Sequence, residues 1–135
     1  MWTCEKCNRV FQTTNQSHIC VVKDVGELFV GKPDSLVLAW DALTQRVMEW
    51  QPNVYSASTK SIVYTSKKAW LIIKPMKAQL DVKFYHEEKL VSDRIKRHQN
   101  YRNKWAHHLR IHDELQVDRE VLSLLRQAYD YSVGE

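Results

Sequence analysis

Residues 61–86 read SIVYTSKKAWLIIKPMKAQLDVKFYH. Apolar and polar side chains alternate here with a period of two, in three runs at 61–66, 69–75 and 80–86. Very short polar turns part them, so each run reads as a strand. Such turns join antiparallel neighbours, because a parallel pair needs a long crossover. In the third run Leu80, Val82 and Phe84 point to one face, and Asp81, Lys83 and Tyr85 to the other.

Upstream the period lengthens. Leu36, Trp40, Leu43, Val47 and Trp50 recur at steps of four and three, the apolar stripe of a helix over 34–50. Asp34 and Ser35 are both suited to cap it, Pro33 opens it without losing a needed N–H, and Pro52 stops it. Two tryptophans on one stripe call for a broad, flat partner, and a sheet fits. A further strand is expected at 54–57, and a short helical turn at 24–30 with Asp24 as its cap. Downstream, 87–101 is polar and charged with few apolar positions and reads as a loop. Residues 104–112 alternate again, with Trp105, His107, Leu109 and Ile111 on one face and Ala106, His108 and Arg110 on the other. A helix over 118–131, capped by Asp118, presents Val121, Leu122, Leu125, Ala128 and Tyr129. The fold class is therefore α+β: an antiparallel sheet of four to five strands with two long helices on one face.

Residues 1–20 read MWTCEKCNRVFQTTNQSHIC and hold all three cysteines of the chain. The spacing Cys4-x2-Cys7-x10-His18-x-Cys20 is that of one zinc site with four ligands, since zinc takes thiolate and imidazole in a tetrahedron. His18-x-Cys20 is too close for two ligands one helical turn apart. The expected unit is a truncated knuckle over 1–22, preceding an α+β domain over 23–135. Three thiolates close the site, so Zn2+ is expected to be structural. The competing readings are disulfides or plain buried thiols. An odd cysteine count, and His18 at the place of a fourth ligand, favour the metal.

Reduced cysteines and an opening that is no secretory signal point to the cytoplasm. No apolar run is long enough to span a membrane. The net charge of +4 is unevenly placed: residues 60–110 hold thirteen Lys and Arg against four acids, a balance of +9. Such asymmetry suits an anionic partner, nucleic acid or a phosphate-bearing ligand. The plainer reading is a solvated surface.

The motifs WTCEKCNRVF (2–11), NQSHIC (15–20), FVGKP (29–33), TKSIVY (59–64), YRNKWAHHLRI (101–111) and DREVLSLLRQAY (118–129) run in order along the chain. In these the chain resembles a bacterial family known only as a domain of unknown function, number fifty-six fifty-five, in members with an N-terminal zinc knuckle. The resemblance implies a zinc-binding α+β domain and lends no reaction. The family's recurring positions fall here on Cys4, Cys7, His18, Cys20, Lys60, Tyr64, Arg102, His107, His108, Arg110, Ala128 and Tyr129. Family members usually have Pro after the first cysteine and Gly after the second. Here they are Glu5 and Asn8, and neither is a ligand.

Two helices can cover only one face of the sheet. Asp81, Lys83, Tyr85, His108 and Arg110 share the other, and would form a basic floor with an aromatic ring in it. Basic groups interleaved with aromatics suit phosphate or single-stranded nucleic acid. The candidate ligand-binding residues are Lys60, Tyr64, Lys83, Arg102, His108 and Arg110. His107 falls on the core side and reads as structural. The leading reading is a non-enzymatic binding module for an anionic partner. One alternative is a hydrolase using His108 with Asp81, Lys83 and Arg110. Asp81-Val82-Lys83 resembles the acid-x-Lys strand of metal-dependent nucleases, but the strand before it offers no second carboxylate to hold Mg2+. The other alternative is an adaptor that packs on a protein partner or on a second copy.

Overall fold

The computed structural model describes residues 25–134, together with the backbone of a short antiparallel pair, β1 (Trp2–Thr3) and β2 (Val10–Phe11). The expected knuckle ligands Cys4, Cys7, His18 and Cys20, the cap expected at Asp24 and the boundary at 22/23 lie outside the described residues.

Pro33 sets the first long helix. Its ring fixes φ, here −60°, and its ψ of 145° is extended, so it takes the N-cap position itself with no side-chain cap bond. Asp34 and Ser35, expected as caps, are instead inside the first turn, where the Asp34 carboxylate faces the positive end of the helix dipole. A single short turn, α1 (Val25–Leu28), precedes this helix, α2 (Asp34–Val47). The helix ends at Val47 rather than at 50. Trp50 lies past its end, with its ring 6.1 Å from that of Trp70 and 5.6 Å from that of Tyr129.

Six strands make the main sheet: β3 (Val54–Ala57), β4 (Ile62–Thr65), β5 (Ala69–Pro75), β6 (Leu80–His86), β7 (Ile95–Asn100) and β8 (Trp105–Ile111). Their order is β3-β4-β5-β6-β8-β7, and every neighbouring pair is antiparallel. This corrects the expected four or five strands. The missed one is β7, inside the stretch read as a loop. It is an edge strand bonded to β8 alone, none of its residues is fully buried, and its sequence IKRHQN shows no apolar alternation. Because β7 runs outside β8, residues 87–94 must cross from the end of β6 to the far edge of the sheet.

One face of the sheet is the core. Ile62, Tyr64, Leu71, Ile73, Leu80, Val82, Phe84, Leu109 and Ile111 on it are fully buried. Tyr64 passes opposite Leu71 while Thr65 passes opposite Ala69, so Trp70 is an extra residue in β5. That bulge lets consecutive side chains, Trp70 and Leu71, both be buried. Trp70 then meets Tyr129 edge-on at 5.4 Å and donates from its indole N–H to Asn53 Oδ1 at 3.2 Å.

Both long helices pack on this face. From α2, Thr44 Oγ1 lies 2.5 Å from the Tyr64 hydroxyl. From α3 (Arg119–Val133), Ser132 Oγ lies 2.6 Å from Ser66 Oγ, and the Tyr129 hydroxyl donates to Pro52 O at 3.0 Å. The apolar stripe of α3 is Val121, Leu124, Leu125, Ala128 and Tyr129, with Leu122 only half-buried. Each large aliphatic buried in this way adds about 1.5–3 kcal/mol.

Asp118 caps α3 as expected. Its Oδ1 accepts from Val121 N at 3.0 Å, and its Oδ2 from Arg94 Nη1 at 2.6 Å. Arg94 also donates to Gln116 O, so this one residue ties the crossing segment to the start of the helix. Asp118→Ala is expected to lower unfolding stability by about 1–2 kcal/mol, read as a fall in the urea midpoint at constant m. An unchanged midpoint would show that the cap contributes nothing.

Candidate functional site

The pairing of β6 with β8 sets the open face. Asp81 stands opposite Arg110, Lys83 opposite His108, and Tyr85 opposite Ala106. β5 adds Lys74 opposite Asp81, and β7 adds Arg97 opposite His108. All of these except Tyr85 and Ala106 line one concavity of about 350 Å3, with Ser61, Ile72 and Met76 completing its wall. Strand alternation thus places four cations around a single carboxylate.

That carboxylate is already engaged. Asp81 Oδ2 lies 3.0 Å from His108 Nδ1, and Asp81 Oδ1 lies 2.9 Å from Arg110 Nε. The Arg110 contact is an ion pair whose angle is too poor for a hydrogen bond, which leaves Nε without one. Nη1 of Arg110 meets only Met76 Sδ, a weak acceptor, at 3.4 Å. Asp81 and His108 are nearly buried, with 13% and 9% of their side chains exposed, whereas Arg110 is 32% exposed. The guanidinium therefore borders the opening with donor capacity left over.

Burial pushes the His108 imidazole below its ordinary pKa. The nearby Arg97 and Lys83 charges act the same way, and the Asp81 carboxylate opposes them. The ring is thus neutral at pH 7, with Nδ1–H donating to Asp81 and a lone pair on Nε2. Gln99 Oε1 lies 3.3 Å from Nε2. A half-turn of that amide brings its NH2 to the lone pair, which is the favourable orientation.

One residue earlier, His107 faces the opposite way and is fully buried. It stacks on Phe84 at 5.1 Å, and its Nε2 accepts from Leu90 N at 2.8 Å. His98 Nε2 donates to Leu90 O at 2.7 Å. Two histidines therefore hold both main-chain polar groups of Leu90 and pin the crossing segment. Burial pushes the His107 pKa down to about 4, with the neighbouring His98 and His86 adding to the fall.

Of the sequence candidates, Lys83, His108 and Arg110 meet in the concavity. Tyr64 does not: it is fully buried under α2, and its hydroxyl is engaged with Thr44. Burial also pushes that hydroxyl's pKa well up. Lys60 lines a different hollow, with Lys32, Thr59 and Lys74. Arg102 is exposed in the β7–β8 turn. Sequence reading missed Lys74, Arg97 and Gln99. Lys74 could have been found by extending the strand phase into β5. Arg97 and Gln99 had no such signal, because β7 shows no period.

The fold and site define a small α+β domain with an open, cation-lined sheet face. A family model described as Domain of unknown function (DUF5655) matches residues 25–132, and the chain belongs to that family. No curated protein and no solved structure matches the chain. Among the described residues no helix is long and apolar enough to cross a membrane, and no three His, Cys, Asp or Glu side chains are grouped to hold a metal ion.

His107 makes stability pH-dependent. Its folded pKa of about 4 lies below the ordinary 6.5, so the unfolded chain takes up the proton first as pH falls. The contribution is complete above pH ~6.5 and is lost on descending towards ~4, by up to about 3 kcal/mol. Urea unfolding over that range checks the loss, and a His107 ring resonance titrating near 6.5 would contradict it.

Proposed function

We propose that the chain is a binding module that takes a phosphate-bearing anion in the concavity between β5 and β7. The observation behind this is the charge imbalance. Lys74, Lys83, Arg97 and Arg110 line about 350 Å3, and Asp81, the single carboxylate among the lining residues, is committed to His108 and Arg110. Like charges at this spacing repel, and a multivalent anion relieves the repulsion while accepting the spare guanidinium donors. The neutral His108 adds no charge of its own, and its edge is held in place from both sides.

The Asp81–His108 pair also favours a second reading, a hydrolase. A carboxylate that fixes an imidazole by Nδ1 leaves Nε2 to act as a general base once the Gln99 amide turns aside, and Arg110 and Lys83 are placed to stabilise developing negative charge. In that reading Asp81 orients His108, whereas in the acid-x-Lys nuclease comparison it would ligate a metal.

Inorganic pyrophosphate separates the two readings. Calorimetric titration in low salt is expected to show binding that weakens about tenfold or more in Arg97→Ala and in Lys83→Ala, as for loss of a charge-assisted hydrogen bond. Lys60→Ala, in the other hollow, should leave it unchanged. Absence of binding at millimolar pyrophosphate would remove the proposal. Release of orthophosphate, lost in His108→Ala, would favour the hydrolase instead.

The proposal for residues 1–22 is a structural zinc knuckle held by Cys4, Cys7, His18 and Cys20, a set of hard-to-explain spacing without a metal. The native mass of the protein is expected to exceed the chain mass by one zinc ion. Cys20→Ser should lose the metal, and a wild-type protein that binds none would refute the knuckle.

A further inference from the structure

The open face does not end at the concavity. Beyond His108 and Lys83, the next positions along β8, β6 and β7 are Ala106, Tyr85 and Gln99, and then the β7–β8 turn brings Tyr101 and Lys104. A chain of contacts joins the two parts. His108 reaches Gln99, the Tyr101 hydroxyl lies 3.5 Å from the Gln99 side-chain amide, and Lys83 Nζ donates to that hydroxyl at 3.4 Å. Lys104 Nζ lies 4.2 Å above the Tyr85 ring, and Tyr85 meets Tyr101 edge-on at 6.1 Å. Tyr101 is 40% exposed.

From these positions we infer that the ligand is a single-stranded nucleic acid lying along β6 and β8, with one phosphate in the Lys74–Arg110 concavity and an adjacent base on Tyr101. The inference rests on the phosphate-binding reading of the concavity and deepens it. From Arg110 to Lys104 the stripe spans six residue steps, about 20 Å at ~3.3 Å per step, which is room for about three nucleotides. Ala106, midway along the stripe, is fully buried. Cations stand at both ends and a ring stands between, the pattern that holds a strand by charge and stacking together. Burial holds the Lys104 pKa below the ordinary lysine value, and the Lys68 and Lys83 charges depress it further. Backbone phosphates would relieve that repulsion too.

A duplex distinguishes this from a merely basic patch. Duplex carries the denser charge but hides its base faces, so charge alone favours duplex and stacking favours single strand. Fluorescence anisotropy of the full chain with labelled eight-nucleotide oligothymidylate and oligouridylate is expected to show binding at least tenfold tighter than to an eight-base-pair duplex. The log–log salt slope should be about −2 to −3, for three to four phosphates. Tyr101→Ala should weaken the strand roughly tenfold more than it weakens pyrophosphate. If pyrophosphate binds but the strand binds no tighter than duplex, or Tyr101→Ala affects strand and pyrophosphate equally, the inference fails and the phosphate site stands. If pyrophosphate does not bind either, both fail together.

Discussion

The register of β6 against β8 fixes both faces of the sheet in one step. With Phe84 opposite His107 and Val82 opposite Leu109, the apolar residues of the two strands fall together beneath the helices. The same register sets Asp81 beside Arg110 and Lys83 beside His108 on the far side. A slip of one residue in β6 would carry Lys83 and Asp81 into the core and put Val82 and Phe84 in water. The burial of Leu80, Val82 and Phe84 alone is worth several kcal/mol against such a slip. The open-face cluster is thus held by hydrophobic energy from the other side and needs little stabilisation of its own.

This division explains how the fold tolerates so poor a balance of charge. Four cations around one carboxylate repel one another, and surface ion pairs contribute little in return. A packed core on the opposite face can carry that penalty. Several polar residues within the protein have a named partner: Tyr64 has Thr44, Ser66 has Ser132, and Asn53 has Trp70 and the Val47 carbonyl. Two buried side-chain nitrogens among the described residues, Trp40 Nε1 and Arg110 Nε, have no hydrogen-bond partner, and of the two only Arg110 belongs to a residue lining the concavity.

What the sequence disclosed follows from which physical signals are local. Alternation in 61–86 revealed β4, β5 and β6 and assigned Asp81 and Lys83 to the open side, because burial of one face writes a period of two. The same signal assigned His107 and His108 to opposite sides. It failed for β7, which as an edge strand buries too little on either face to leave a pattern. Arg97 and Gln99 were lost with it. The bulge at Trp70 was invisible for the opposite reason: both Trp70 and Leu71 are apolar, so a break in alternation reads as a continuous run. The cap of α2 went to Pro33 because a fixed ring torsion competed with the side-chain hydrogen bonds that Asp34 and Ser35 could have made. That Tyr64 is core could have been read from its strand phase. Its resemblance to a recurring family position drew attention to it as a ligand group instead.

Adjacent histidines show how far environment outweighs residue type. Both imidazoles are driven towards the neutral form, and in both burial is the largest cause. His107 gives both ring nitrogens to main-chain groups, Phe84 O at 3.4 Å and Leu90 N, and so becomes a clasp for the segment crossing to the sheet edge. His108 gives Nδ1 to a carboxylate and leaves Nε2 to a single side-chain amide that can rotate. Main-chain partners are fixed by the fold, whereas Gln99 can turn aside when a better partner for Nε2 arrives. The two residues therefore differ in what can be exchanged: His107 holds main-chain partners, and His108 holds side-chain ones.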